Sequence, residues 1–160
     1  MARLYGQVCP VARSLDLLGE RWTLLVVRDL LRGRGRFQQL LESSPGIAPN
    51  VLSDRLKLLE GHGIVTRRFY SDHPPRAEYV LTERGRELGM VVGALATWGA
   101  RHAGAPETPT PTHVACGHAV DMAYRCPHCD TDVPRSAVEL RRPDGPPDPE
   151  PGSPAEAATS

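Results

Sequence analysis

The chain has 160 residues, room for one domain or one domain with a small appendage, and this excludes a large multidomain enzyme. Its 19 Lys and Arg balance 19 Asp and Glu. The longest apolar run, Leu24-Leu25-Val26-Val27, falls far short of the roughly 18 residues that cross a bilayer, which excludes a membrane-spanning helix.

The neutral total hides an uneven distribution. Up to His102 there are 15 Lys and Arg against 10 Asp and Glu, and from Ala103 onward four against nine. A basic front facing a polyanion and an acidic rear that does not are expected. Proline divides the chain at the same place, with five of 16 before residue 103. The boundary is expected near Gly104, followed by an extended linker over 103–112 that carries Pro106, Pro109 and Pro111. From 135 to 160 apolar residues become too sparse to offset the entropy of ordering, so that tail is expected to be disordered. Met1-Ala2-Arg3-Leu4-Tyr5 lacks an apolar export segment; the expected location is the cytoplasm, with the four cysteines mostly reduced and no membrane partner.

The front reads as helices followed by a hairpin. Pro10 suits the first position of a helix in which Val11, Leu15 and Leu18 recur until Gly19. Trp22 to Leu31 predicts a second helix, apolar on nearly all sides and so packed on several faces. Arg32-Gly33-Arg34-Gly35-Arg36 is a basic turn, able to meet phosphate or simply to be solvated. Phe37, Leu40 and Leu41 form a short third helix that Pro45-Gly46 ends. Pro49 opens a fourth, reaching about Glu60, in which Leu52, Leu56 and Leu59 make one buried stripe. Its other face carries Asn50, Ser53, Asp54, Arg55 and Lys57. A rod about 18 Å long with such groups fits a major groove roughly 12 Å wide, although a merely solvated face has the same composition. Ile64 to Tyr70 and Arg76 to Leu81 then read as two strands joined by a loop over Ser71-Asp72-His73-Pro74-Pro75. This order is mainly α with a small β-hairpin, a winged helix-turn-helix.

The segments Cys9-Pro10-Val11-Ala12 and Leu17-Leu18-Gly19-Glu20-Arg21-Trp22-Thr23, with Arg36-Phe37-Gln38-Gln39-Leu40, Gly46 to Leu56 and Leu81-Thr82-Glu83-Arg84-Gly85, together resemble the HxlR-type winged helix-turn-helix regulators over residues 7–102. The resemblance implies a homodimeric transcriptional regulator that binds double-stranded operator DNA and has no catalytic activity. By position it implies a recognition helix over Pro49–Glu60, with Asn50, Ser53, Arg55 and Lys57 as DNA contacts and Arg76 on the wing. Some members use a cysteine in the N-terminal region as a redox or quinone sensor. Cys9, at a helix N-terminus where the helix dipole favours a thiolate, is the corresponding candidate for an oxidant or small-molecule effector, packing being the alternative.

Thr82 is expected to cap a last helix whose stripe of Leu88, Val91, Val92, Leu95, Trp98 and His102 is too long for the small domain to cover. A second copy would cover it, and Gly85, Gly89 and Gly93 would allow close helix approach, unless they are only compositional drift. Such a dimer presents two recognition helices about 34 Å apart.

Beyond the linker, His113 and Cys116 repeat the spacing of Cys126 and Cys129, so three thiolates and one imidazole could close one structural zinc site, a small zinc-ribbon-like appendage over 113–134. His118 and His128 compete as ligands, and free reduced thiols are the alternative. No G-x-S-x-G, G-x-x-x-x-G-K-[ST] or strand-linked G-x-G-x-x-G occurs, and His62, His73 and His102 stand alone, so no enzyme is expected. The rival to a DNA-binding regulator is a winged-helix protein-interaction module with a zinc-stabilised tail and no DNA affinity.

Overall fold

The computed structural model describes residues 4–72, 75–104 and 111–139, in two compact units, Met1–Pro111 and Thr112–Ser160. The first contains α1 (Pro10–Leu18), α2 (Thr23–Leu31), α3 (Phe37–Ser43), α4 (Pro49–Gly61), an antiparallel hairpin of β1 (Val65–Asp72) and β2 (Pro75–Leu81), and α5 (Glu83–His102). The second contains a short antiparallel pair, β3 (Tyr124–Cys126) and β4 (Thr131–Val133), and a 3-10 turn at Arg135–Ala137. The mainly helical winged helix-turn-helix fold expected from the sequence is present. Most of the proposed linker, residues 105–110, the turn residues His73 and Pro74, and the tail from 140 onward lie outside the described residues.

Prolines at the first turns start α1 and α4, where a missing N–H costs nothing. Val26, Val27 and Leu30 of α2 meet Leu40 of α3, Leu52, Leu56 and Leu59 of α4, and Ile64, Val65 and Leu81 of the hairpin in one core. Each buried aliphatic side chain of this size stabilises the fold by about 1.5–3 kcal/mol, so the three leucines fix which face of α4 turns outward.

Two local expectations, for Trp22 and for Gly85, are corrected. Trp22 is not in the second helix: it precedes α2 with φ +78, in the left-handed region, and its ring reaches Gly46 in the turn between α3 and α4 while Arg21 lies 4.8 Å from the ring centroid. The second helix is packed on several faces as expected, against α3, α4, α5 and β2, with Leu25 and Leu31 left exposed. Gly85 serves the hairpin: a Cβ there would stand 2.1 Å from the carbonyl oxygen of Ile64, so the start of α5 can lie against the strand entry only because the side chain is absent. Thr82 joins the same corner, its Oγ1 accepting from Gly85 N at 3.1 Å and donating to Gly63 O at 2.7 Å.

One polar group lies deep in this unit. Asp29 of α2 is fully buried, and its carboxylate accepts from Arg28 Nε (2.9 Å) and Nη2 (3.0 Å), Ser43 Oγ (2.6 Å) and Ser44 Oγ (3.2 Å). Burial pushes its pKa up, but the hydrogen bonds from Arg28 and Ser43, the Arg28 charge and the Ser44 hydroxyl outweigh it and hold the carboxyl below its ordinary value. A depressed carboxyl pKa contributes stability that is complete above the unfolded value of about 3.9 and is lost as pH falls through the folded value. Replacing Asp29 by Asn is expected to lower unfolding free energy by roughly 1–3 kcal/mol, since it leaves the half-buried Arg28 and the hydroxyls of Ser43 and Ser44 facing a neutral amide. The same change should flatten the acid limb of stability below about pH 4; urea titrations across pH check both.

Candidate nucleic-acid interface

The side of α4 away from the core presents Asn50, Asp54 and Lys57, all exposed, with Ser53 half-buried at its edge. The spacing of 50, 54 and 57 follows one helical face, opposite Leu52, Leu56 and Leu59. Arg55 lies apart from that face. It sits at the margin of the core, its guanidinium paired with Glu20 at 3.3 Å (Nη1 to Oε2), and its Nε is buried without a hydrogen-bond partner among the described residues. The arrangement therefore brings Asn50, Ser53 and Lys57 together and holds Arg55 against the segment between α1 and α2.

The hairpin runs Val65↔Leu81, Arg67↔Tyr79 and Arg68↔Glu78, with a bulge between Phe69 and Ser71. It begins directly after α4, because Gly61-His62-Gly63 ends the helix and Ile64 N is bonded to Leu59 O at 2.9 Å. Arg68 donates through Nε to Glu78 Oε1 at 3.0 Å. Arg67 lies over Phe69, and Arg36 over Tyr70 at 4.9 Å from the ring centroid. Arg76, the expected wing contact, is exposed on β2. The base of the hairpin is moored to the basic turn: Tyr79 N donates to Gly35 O at 2.8 Å, and Arg36 pairs with Glu78 as an isolated bridge. Arg36 and Tyr70, which sequence reasoning did not join, thus lie beside the exposed edge of the hairpin; a basic residue before α3 and an aromatic on β1 gave no pairing signal.

The other expected site residues are placed as follows. Cys9 is half-buried at the N-terminal end of α1, its carbonyl accepting from Arg13 N at 3.0 Å. In the second unit, His113 Nδ1 lies 3.1 Å from Cys116 Sγ. The backbone N–H groups of Cys129 and His128 and the Cys129 thiol bond to Cys126 and hold its thiol pKa below the ordinary value. His113 and Cys116 thus lie side by side on one turn, while Cys126 and Cys129 share the β3–β4 turn; among the described residues no three His, Cys, Asp or Glu side chains are gathered for a cation.

A helix packed by one leucine stripe, with a polar outer face and a hairpin following at once, is matched by a family model for the HxlR-like helix-turn-helix over residues 17–107. The chain belongs to that family. An HTH-type transcriptional regulator of Mycobacterium tuberculosis is 39% identical over 152 residues, covering 94% of this chain and 91% of the relative. The crystal structure of PA1607 is 30% identical with a TM-score of 0.72, covering 86% of this chain and 96% of that one. The redox regulator HypR in its oxidized form is 36% identical with a TM-score of 0.56, covering 59% of this chain and 97% of HypR. This HxlR-like protein is a helix-turn-helix transcriptional regulator, as its relatives are, and not an enzyme. No described helix is long and apolar enough to cross a membrane.

Proposed function

We propose that the protein acts in the cytoplasm as a homodimer, with α4 of each copy in the major groove of an operator and the hairpin along the adjacent backbone. The observation that carries this reading is the outward face of α4, which is polar, exposed and fixed in direction by three fully buried leucines. Asn50 and Ser53 supply amide and hydroxyl groups to base edges, while Lys57 and Arg76 supply charge to phosphates. Arg55 meets the duplex at the margin, where a phosphate competes with Glu20 for its guanidinium. In fluorescence anisotropy with genomic fragments, binding should weaken with salt at a log-log slope of about −0.9 per phosphate contact. Lys57→Ala should reduce that slope by about 1, and Asn50→Ala should cost about 1–3 kcal/mol on the specific site alone. A folded protein that binds no fragment even at low salt would overturn this reading in favour of a protein-interaction module.

The second copy is assigned to α5. Leu88 and Val92 pack on the core, but Val91 (42% exposed), Leu95 (51%) and Trp98 (61%) remain open, with the paired ring of His102 on the same face. An apolar stripe of this kind along a helix of 20 residues, about 30 Å, marks an association surface. Leu95→Glu is expected to halve the mass seen by sedimentation equilibrium while leaving the helical circular dichroism unchanged; a monomeric parent protein would refute the assignment.

HypR is a redox regulator, and Cys9 is the candidate for the same behaviour here. A peroxide would oxidise the thiolate to sulfenic acid and release hydroxide. Peroxide is expected to release DNA from the parent protein and not from Cys9→Ser; release from both would remove Cys9 from the response.

A further inference from the structure

The second unit is short of what normally holds a fold together. None of its described residues is buried; Val114 is 98% exposed, and Val120, Met122 and Tyr124 are also exposed. Burial of apolar surface cannot offset the entropy of ordering such a segment. The unit nevertheless has two defined turns, and they follow one plan.

In the first turn, His113 N donates to His118 O at 2.8 Å, and Thr112 pairs with Ala119. Cys116 N and Gly117 N both point back to His113 O, at 3.3 and 2.8 Å. In the second, Cys126 pairs with Thr131 at the end of the β3–β4 ladder, and the chain turns back between them through His128 and Cys129. Each turn therefore has a metal-binding side chain at position i, another at i+3, and a return to its own ladder at i+5. Each also has a residue of positive φ at i+4, Gly117 at +72 and Asp130 at +53. Glycine adopts this conformation freely, but Asp130 does so only against a steric cost, so the backbone of the second turn is held in a demanding shape. That shape sets Cys126 and Cys129 three residues apart on the single turn that joins β3 to β4. The first turn does the same for His113 Nδ1 and Cys116 Sγ, 3.1 Å apart.

We infer that the two turns are the halves of one structural zinc site, with His113, Cys116, Cys126 and Cys129 as its four ligands. The first half is already paired at 3.1 Å, the second carries its two cysteines on one turn, and because no three such side chains are gathered among the described residues, closing the two halves around one ion is the step that metal binding adds. Thiolate and imidazole donors suit zinc, which takes four of them tetrahedrally at about 2.3 Å (sulfur) and 2.0–2.1 Å (nitrogen). Three thiols give up their protons to solvent as they bind. With all four positions filled by protein, no position is open for substrate and the ion holds the fold, supplying what the apolar surface of this unit cannot. His113 is chosen over its rivals by place: His118 sits at the ladder return, and His128 lies between the two cysteines of its own turn, 3.8 Å from Cys129 Sγ. The site lies in the unit after Pro111 and does not depend on the DNA-binding reading, which can fail or hold independently.

The test uses the reduced full-length chain without an added histidine tag. Metal analysis is expected to find one zinc per chain, and cobalt substituted for it should give the intense visible bands of a tetrahedral site with thiolate-to-cobalt charge transfer. Cys116→Ser, Cys126→Ser and Cys129→Ser should each lose the stoichiometric ion, and circular dichroism will show that the helices of the first unit remain. His113→Ala should lower zinc affinity by more than the roughly 10–100-fold that an outer-shell partner is worth. His118→Ala, His128→Ala and Cys9→Ser should keep both the ion and the cobalt spectrum. A reduced parent protein that takes up neither zinc nor cobalt overturns the site. Retention of the full spectrum by Cys116→Ser overturns the bridging of the two turns, and loss in His118→Ala or His128→Ala with retention in His113→Ala overturns the choice of histidine.

Discussion

A carboxylate removed from water has to be satisfied by its neighbours, and the helix-turn-helix is arranged around that requirement at Asp29. The group lies on α2, but two of its donors, Ser43 and Ser44, lie at the end of α3, immediately before the turn that aims α4. Arg28 completes the cluster from the same helix and also reaches Ser43 O at 3.4 Å. Apolar packing alone is non-directional and would leave the α3–α4 corner free to shift; hydrogen bonds with defined angles restrict it. Trp22 adds the cover over that corner, its ring against Gly46. The outward direction of Asn50 and Lys57 follows from these constraints as much as from the leucines beneath them.

The base of the hairpin is fixed on the long helix. Its entry, at Ile64, is pressed against α5 through Gly85 and Thr82, so the hairpin and the long helix share one fixed corner. Leu88 and Val92 then pack α5 onto the core for part of its length. Beyond them Leu95 and Trp98 stay exposed in this unit. One helix thus closes the core and leaves an open apolar stripe.

Much of this architecture was legible before any coordinates. Leucines at 52, 56 and 59 have a helical period that leaves little choice of face, and prolines at 10 and 49 mark helix starts because their missing N–H is harmless there. The rest was hidden for identifiable reasons. Periodicity carries no backbone sign, so Trp22 read as helix when it is a left-handed entry residue. Arg55 read as part of a polar face, yet it sits three residues from Leu52 on the core margin, and its partner Glu20 lies in a distant part of the chain that no local pattern can indicate. Gly85 looked like one of a spaced series, whereas its reason is a single carbonyl oxygen across the corner. A lone acid within an apolar helix was the available clue to Asp29: an aspartate surrounded by valine and leucine must be paired.

The mooring of Tyr79 to Gly35 and the stacking of Arg36 on Tyr70 bear on how this shape would meet a duplex. A hairpin tethered to the residues before α3 is restrained relative to α4, so if α4 reads DNA, as proposed, the separation between the two would behave as a calibrated gauge. Sequences whose furrow already matches that gauge would be accepted without deformation, while stiffer or wider ones must bend to comply. Selection among operators would then arise partly from the mechanical compliance of the nucleic acid, at steps the side chains never touch.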